Sequence, residues 1–312
     1  MLIGRRLKTW GFLAVVNIFW ATQYPAYRVV GETVSVATLN FWTFVISVLV
    51  LLPALIRDRR RRTALAKPAP GASALSFIWL AGLGIIPPSV ILAWGIQHSS
   101  ASNASILSLT IPVLMVLMGM LMLDERPGRY VLVSLALAVA GTALISWDDV
   151  VAGNFSGRML VGNVAVFMSG AGAAFYNAYC KKLLARHSPV EILVYGYISA
   201  IVLCAIISLA VDPIPFYQVG TWSVSAWLAV LVLGAVVWGG AMLLWLWLLN
   251  QLELGQISVS VYMLPVFGVL LSAATLGERL GLMQLAGGAI VLLSAYFSSA
   301  PPADATAAES SV

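Results

Sequence analysis

Runs of about twenty consecutive apolar residues, each long enough as a helix to cross a hydrocarbon core of roughly 30 Å, return along almost the whole chain. One of them, VLVSLALAVAGTALIS at 131–146, carries no charge and shows no alternation of polarity. A closed membrane barrel would instead be built from alternating segments of about ten residues. A soluble domain fails for another reason: only 9% of this chain is charged and 61% is hydrophobic, against roughly 25% charged in ordinary soluble proteins. The fold class is therefore an all-α integral membrane protein.

With Gly, Pro and charge clusters as boundaries, the sequence divides into ten transmembrane helices at about 9–29, 34–56, 74–97, 102–123, 129–147, 158–182, 189–210, 222–249, 255–276 and 280–299. Arg5, Arg6 and Lys8 ahead of an apolar run resemble the start of a signal peptide. No clear small-residue cleavage site follows, and the run continues past Trp20, so a retained first helix is expected. Residues 300–312 are small, polar and Pro-containing and are expected to form a disordered tail.

Basic residues set the orientation. If the N-terminus is cytoplasmic, 14 of the 17 lysines and arginines fall on the cytoplasmic side, and only Arg28, Arg158 and Arg279 lie outside. This positive-inside excess places both termini in the cytoplasm. The run RDRRRR at 57–62 has the composition of a nucleic-acid patch, but beside a membrane span it reads as an anchor to anionic lipid, so membrane lipid is an expected partner and nucleic acid is not.

Several chemistries find no support. Cys180 and Cys204 both fall in or beside spans, which implies no disulfide framework. There is no P-loop, no HExxH and no cluster of metal-ligand spacing, and the chain has two histidines in all, His98 and His187. No cofactor, metal or enzymatic activity is expected.

The motif LDERPG at 123–128 returns as LGERLG at 276–281. The offset of 153 pairs Pro112 with Pro265, Glu125 with Glu278, Gly128 with Gly281, Trp94 with Trp247 and Ser105 with Ser258. An offset of 152 pairs Tyr24, Ala26 and Tyr27 with Tyr176, Ala178 and Tyr179. The chain thus reads as two copies of a five-helix unit, residues 1–147 and 158–299, joined by an external linker at 148–157. Five is odd, so the second copy enters the membrane from the opposite side. Inverted repeats are a hallmark of secondary transporters, whose halves exchange conformations to open one site to either side.

Both copies, LAWGIQHSSASNASILSLTIPVLMVLMGMLMLDERPGRY and LWLWLLNQLELGQISVSVYMLPVFGVLLSAATLGERLGLMQLAGGAIVLL, resemble the EamA-type repeat of the drug/metabolite transporter superfamily. The resemblance spans residues 9–299. It implies a ten-helix fold with a central cavity lined mainly by helices 1, 3, 4, 6, 8 and 9, and often an exporter of amino acids or other small metabolites. Together with the short loops it also implies the inner (cytoplasmic) membrane of a bacterium.

Helix interiors hold no Asp, Glu, Lys or Arg near the expected midplane. Aromatic and amide groups remain. Asn17, Trp20, Tyr24 and Tyr27 are spaced by three or four and share one helix face. The candidate substrate site is Asn17, Tyr24, Tyr27, Trp94 and Asn103 from the first copy with Tyr176, Tyr179, Trp245, Trp247 and Tyr262 from the second. Such a lining suits a neutral or zwitterionic small molecule held by stacking and a few hydrogen bonds. Pro112 and Pro265 interrupt equivalent helices, as hinges beside a site or as packing kinks. Glu125 and Glu278 sit at helix ends, where a carboxylate can cap the following helix and act in gating. His98 is the candidate coupling group. Small-residue stripes in helices 5 and 10 serve internal packing, with a homodimer contact as the alternative. A metabolite exporter working by alternating access leads. A broad hydrophobic-drug exporter and a non-transporting scaffold are the alternatives.

Overall fold

The computed structural model describes residues 2–22, 26, 35–64, 73–98, 110–145, 157–211, 219–264, 266–267 and 282–298. Among these residues the chain is helical and contains no strand. The helices are α1 (Leu2–Ala21), α2 (Val36–Ala64), α3 (Ala74–Trp79, continuing without a break to His98), α4 (Thr110–Leu123) and α5 (Arg129–Ile145). They continue as α6 (Gly157–Leu184), α7 (Pro189–Val211), α8 (Val224–Leu231, continuing to Leu249), α9 (Leu254–Ser260) and α10 (Leu282–Ser298). Four described spans are long and apolar enough to cross a membrane: Val36–Arg62, Ala74–Ile91, Pro189–Val211 and Val224–Leu249.

Several boundaries differ from the sequence reading: α1 begins at Leu2 rather than near residue 9, α9 ends at Ser260, and α2 is longer than expected. The second helix was expected to stop near residue 56, with the arginine run in a loop; α2 instead carries on through that run to Ala64. Arginine is a good helix former, Asp58 pairs with Arg62 one turn on at 3.5 Å, and Arg61 and Arg62 in the last turn complement the helix dipole. Hydropathy marks where a helix leaves the membrane, and leaves open whether it ends there.

α3 and α8 share a second departure from regular helix. α3 widens into π-helical turns at Leu80–Ile85 and Pro87–Ile91. Pro87 and Pro88 carry no amide hydrogen, which weakens the ordinary pattern there. α8 widens over Val232–Ala241, a stretch holding three glycines. Its carbonyls are taken up by neighbours: Ser47 of α2 donates to the Gly234 oxygen at 2.8 Å, and Tyr197 of α7 donates to the Trp238 oxygen at 2.7 Å.

Lipid tails are as apolar as leucine, so helix association in a membrane rests on close packing and on hydrogen bonds that average about 0.6 kcal/mol. Both are visible here. α5 packs along α10 so closely that a Cβ on Gly141 would lie 2.9 Å from the Gly287 oxygen and 2.9 Å from Val291 Cγ2. Thr38 of α2 donates to Ser208 of α7 at 3.1 Å. The principal packings form matched sets under exchange of the first five helices for the last five. α5 lies on α10, α2 on α7 and α4 on α9; α3 with α6 matches α8 with α1, α2 with α8 matches α7 with α3, and α4 with α6 matches α9 with α1. The main core, which fully buries Phe44, Tyr197 and Trp245, draws on both halves.

Candidate functional site

Two arrangements stand out, one in the bundle core and one where α4, α6 and α8 finish and α5, α7 and α9 begin. In the core, Trp245 of α8 is 1% exposed. Its indole Nε1 donates to Asn177 Oδ1 of α6 at 2.6 Å, while Asn177 Nδ2 donates back to the Ala173 carbonyl at 2.8 Å. Trp20 of α1 lies against the Trp245 ring with centroids 4.8 Å apart. Three helices are thereby joined by two indoles and one amide. One turn before Trp20, Asn17 is fully buried; its Nδ2 donates to Leu13 O at 2.8 Å, and its Oδ1 has no partner among the described residues. Tyr176 is also buried, and its hydroxyl has no hydrogen-bond partner among the described residues. Unpaired polar atoms cost free energy in a dry interior, on the order of 1–3 kcal/mol each, and favour conformations or ligands that pair them.

At the basic end, Glu125 joins three elements. The chain leaves α4 through Asp124, whose φ of 54° is left-handed, a common way for a helix to terminate. The following carboxylate then accepts from the Leu254 amide at 3.0 Å (Oε1) and 2.8 Å (Oε2), with the Gly255 amide 3.4 Å from Oε2. Lys181 of α6 closes the arrangement, with its Nζ 2.7 Å from Glu125 Oε1 and a second bond to the Leu252 carbonyl. Gly119 makes room for it, since a Cβ there would lie 3.0 Å from Glu125 Oε2. The carboxylate thus satisfies orphan amides at the start of α9, opposes the positive end of its dipole and meets an ammonium group.

Glu125 was expected to cap the helix that follows it. It caps α9 instead, a helix of the other half that packs beside the end of α4, in a turn that leaves α4 through the left-handed Asp124.

A second charged cluster at the same end ties α2 to α7. Arg62 reaches Glu191 at 3.2 Å, Ser188 donates to Asp58 at 2.8 Å, and Arg59 donates to the Tyr195 hydroxyl. His187, 6% exposed, lies 3.7 Å from Glu191 and packs edge-on against Phe77 of α3. Burial lowers the His187 pKa from its ordinary 6.5, with the Glu191 carboxylate opposing and Arg62 assisting.

The remaining sequence candidates are scattered. Tyr24, Tyr27, Asn103, Pro265 and Glu278 lie outside the described residues. Tyr262 is buried against α5 and α10. Tyr179 stacks on Phe175 at 5.2 Å, and Pro112 is buried in α4. Trp94 is 43% exposed and stacks on His98 with centroids 4.1 Å apart. His98 Nδ1 is 2.9 Å from the Trp94 carbonyl. Trp247 is 45% exposed and meets Phe12 edge-on. Trp94 and Trp247, paired in the repeat alignment, are thus much less enclosed than Trp245. Sequence reasoning missed Asn177 and Lys181. Asn177 carried a signal, being one of only two amides, with Asn163, in the apolar α6.

Comparison with known proteins adds the following. A family model described as "EamA-like transporter family" matches residues 8–147 and again 160–300. A protein of Streptantibioticus cattleyicolor named "Probable terminal-alkyne amino-acid exporter" is 27% identical over 282 residues, which is 89% of this chain and 89% of that protein. An "Uncharacterized transporter" of Archaeoglobus fulgidus is 24% identical over 297 residues, 94% of this chain and 98% of the relative. A solved structure described as "Crystal structure of protein" is similar in fold, with a TM-score of 0.76 at 18% identity over 93% of this chain and 96% of that one.

Proposed function

Since the chain belongs to the EamA-like transporter family, we propose that it exports small neutral or zwitterionic metabolites, amino acids foremost, across the cytoplasmic membrane by alternating access. The observation that carries the substrate class is the Trp20–Trp245–Asn177 arrangement in the core, an aromatic and amide cluster with no buried charge beside it among the described residues. Stacking and hydrogen bonds suit a small molecule with apolar surface and little net charge. The Streptantibioticus relative, named as an exporter of an amino acid, points the same way.

The matched packing of the two halves supports ten helices arranged as two five-helix units, 1–147 and 158–299, of opposite orientation with both termini in the cytoplasm. In that arrangement Glu125 is the inner latch, holding the start of α9 against the end of α4. The repeat alignment pairs Glu125 with Glu278 and Leu254 with Ala101, so Glu278 against the start of helix 4 is the proposed outer latch. One latch opens as the other closes. Pro112 and Pro265 are the proposed hinges, Trp94 and Trp247 proposed substrate-binding residues, and His98 the proposed coupling group.

The test is purified protein in liposomes loaded with a metabolite mixture including all the amino acids, with efflux followed with and without a proton gradient. Selective efflux that is lost in Trp245→Ala while the variant stays folded is the expected result. Efflux of hydrophobic drugs without metabolites would replace the metabolite reading with the drug-export alternative. No movement of any solute by folded protein would overturn both.

A further inference from the structure

Five arginines crowd the end of α2, and the structure divides them between two tasks. Arg59 and Arg62 point toward α7, where they meet the Tyr195 hydroxyl and Glu191. Arg57, Arg60 and Arg61 are exposed, and no carboxylate lies within ion-pair distance of them among the described residues. Helical spacing puts these three on one side.

That side is continuous with a lipid-facing stripe. Leu49, Leu52, Pro53 and Ile56 are all exposed on the same face, one to two turns earlier. Leu51, Leu55, Asp58 and Arg62 run along the opposite face toward the bundle. An apolar stripe that passes directly into three free cations matches the amphiphilic profile of a phospholipid, with acyl chains beside Leu49 to Ile56 and a phosphate at the arginines. Rigid presentation strengthens the match, since the Arg59, Arg62 and Asp58 contacts hold the last turns of α2 against α7 and the helix does not have to be ordered on binding.

We propose that Arg57, Arg60 and Arg61 form a binding face for the headgroup of an anionic phospholipid, distinct from the arginines that fasten α2 to α7. Guanidinium groups suit it because their planar donors pair with phosphate oxygens two at a time. The face acts on the whole molecule because α2 packs along α7 and α8; a lipid held here fixes one side of that group.

The test is native mass spectrometry of the detergent-purified full chain with added phosphatidylglycerol or phosphatidylcholine. The variants are Arg57→Gln/Arg60→Gln/Arg61→Gln and, as a control of equal charge loss, Arg126→Gln/Lys182→Gln/Arg186→Gln. Each basic group near an anionic surface contributes about five-fold in affinity, so wild type and control should retain phosphatidylglycerol at least about tenfold over phosphatidylcholine while the α2 variant loses that preference. A thermal melt confirms that each variant remains folded. Equal loss in the control would overturn the proposal in favour of diffuse charge. Retention of the preference by the α2 variant would overturn it outright, as would competition by water-soluble glycerol phosphate as strong as that of the intact lipid.

Discussion

The carboxylate of Glu125 accepts the backbone amide of Leu254, 129 positions away, at 2.8 Å, so a side chain from the first half of the protein caps a helix of the second. Lys181 completes the group without replacing the amide contact. The arrangement is more than an ion pair, and the difference has experimental consequences.

Glu125→Ala should lower stability by about 1–3 kcal/mol, combining a lost cap with an ammonium left short of its partner. A double-mutant cycle with Lys181→Ala in thermal or denaturant unfolding should return a coupling of about 0.5–3 kcal/mol. The charge exchange Glu125→Lys/Lys181→Glu should fail to restore stability, because it sets an ammonium against the positive end of α9. Full restoration would reduce the contact to a simple salt bridge.

Trp245→Phe keeps most of the ring volume but removes the donor to Asn177 Oδ1. A buried acceptor left unpaired should destabilise the protein by about 1–3 kcal/mol. Adding Asn177→Leu to Trp245→Phe should recover part of that loss, measured by the same unfolding assay. Purely additive effects of the two changes would mean that the bond contributes nothing.

Gly141→Ala should be poorly tolerated. Its Cβ would meet the Gly287 backbone oxygen, which has no freedom to turn aside, and overpacking of this kind costs roughly 1–3 kcal/mol. Gly11→Ala is the contrast, since nothing lies within 4 Å of the new atom there and alanine favours helix by about 1 kcal/mol. Opposite shifts in melting temperature are expected from the two substitutions.

The burial of the His187 ring predicts a pH dependence of stability with a definite sign. Its folded-state pKa is lowered from 6.5, chiefly by burial, so the native state prefers the neutral ring. The stabilising contribution is complete above pH 6.5 and is lost as pH falls through that value toward the lower folded pKa. The wild-type melting temperature should therefore drop on acidification below pH 6.5, and His187→Gln should flatten that part of the profile. An unchanged slope in the variant would assign the acid sensitivity to other groups.

Membrane class and family resemblance were legible in the sequence because hydropathy and repeated motifs are local or alignable features. Glu125 shows where that legibility stops. Its place at a helix end could be read, but its partner is a helix start 129 positions away that only the fold brings near. The widened turns of α3 and α8 were invisible for a related reason, since Leu80–Ile85 and Val232–Ala241 are as apolar as regular helix would be. Trp94 and Trp247 show a third limit. The repeat alignment identified them as aromatic positions on equivalent helices, yet enclosure depends on what the neighbouring helix presents, and here both rings are left nearly half exposed.

The cross-half cap also imposes an order of events during synthesis. At roughly 5–20 residues per second, Leu254 emerges about 6 to 26 s after Glu125. For the first 56 positions of that interval the carboxylate has neither partner, and for the remainder Lys181 is the one described partner already synthesised. A nascent chain that stalls between α6 and α9 therefore displays an unfinished seam, and the arrival of α9 is the step that closes it.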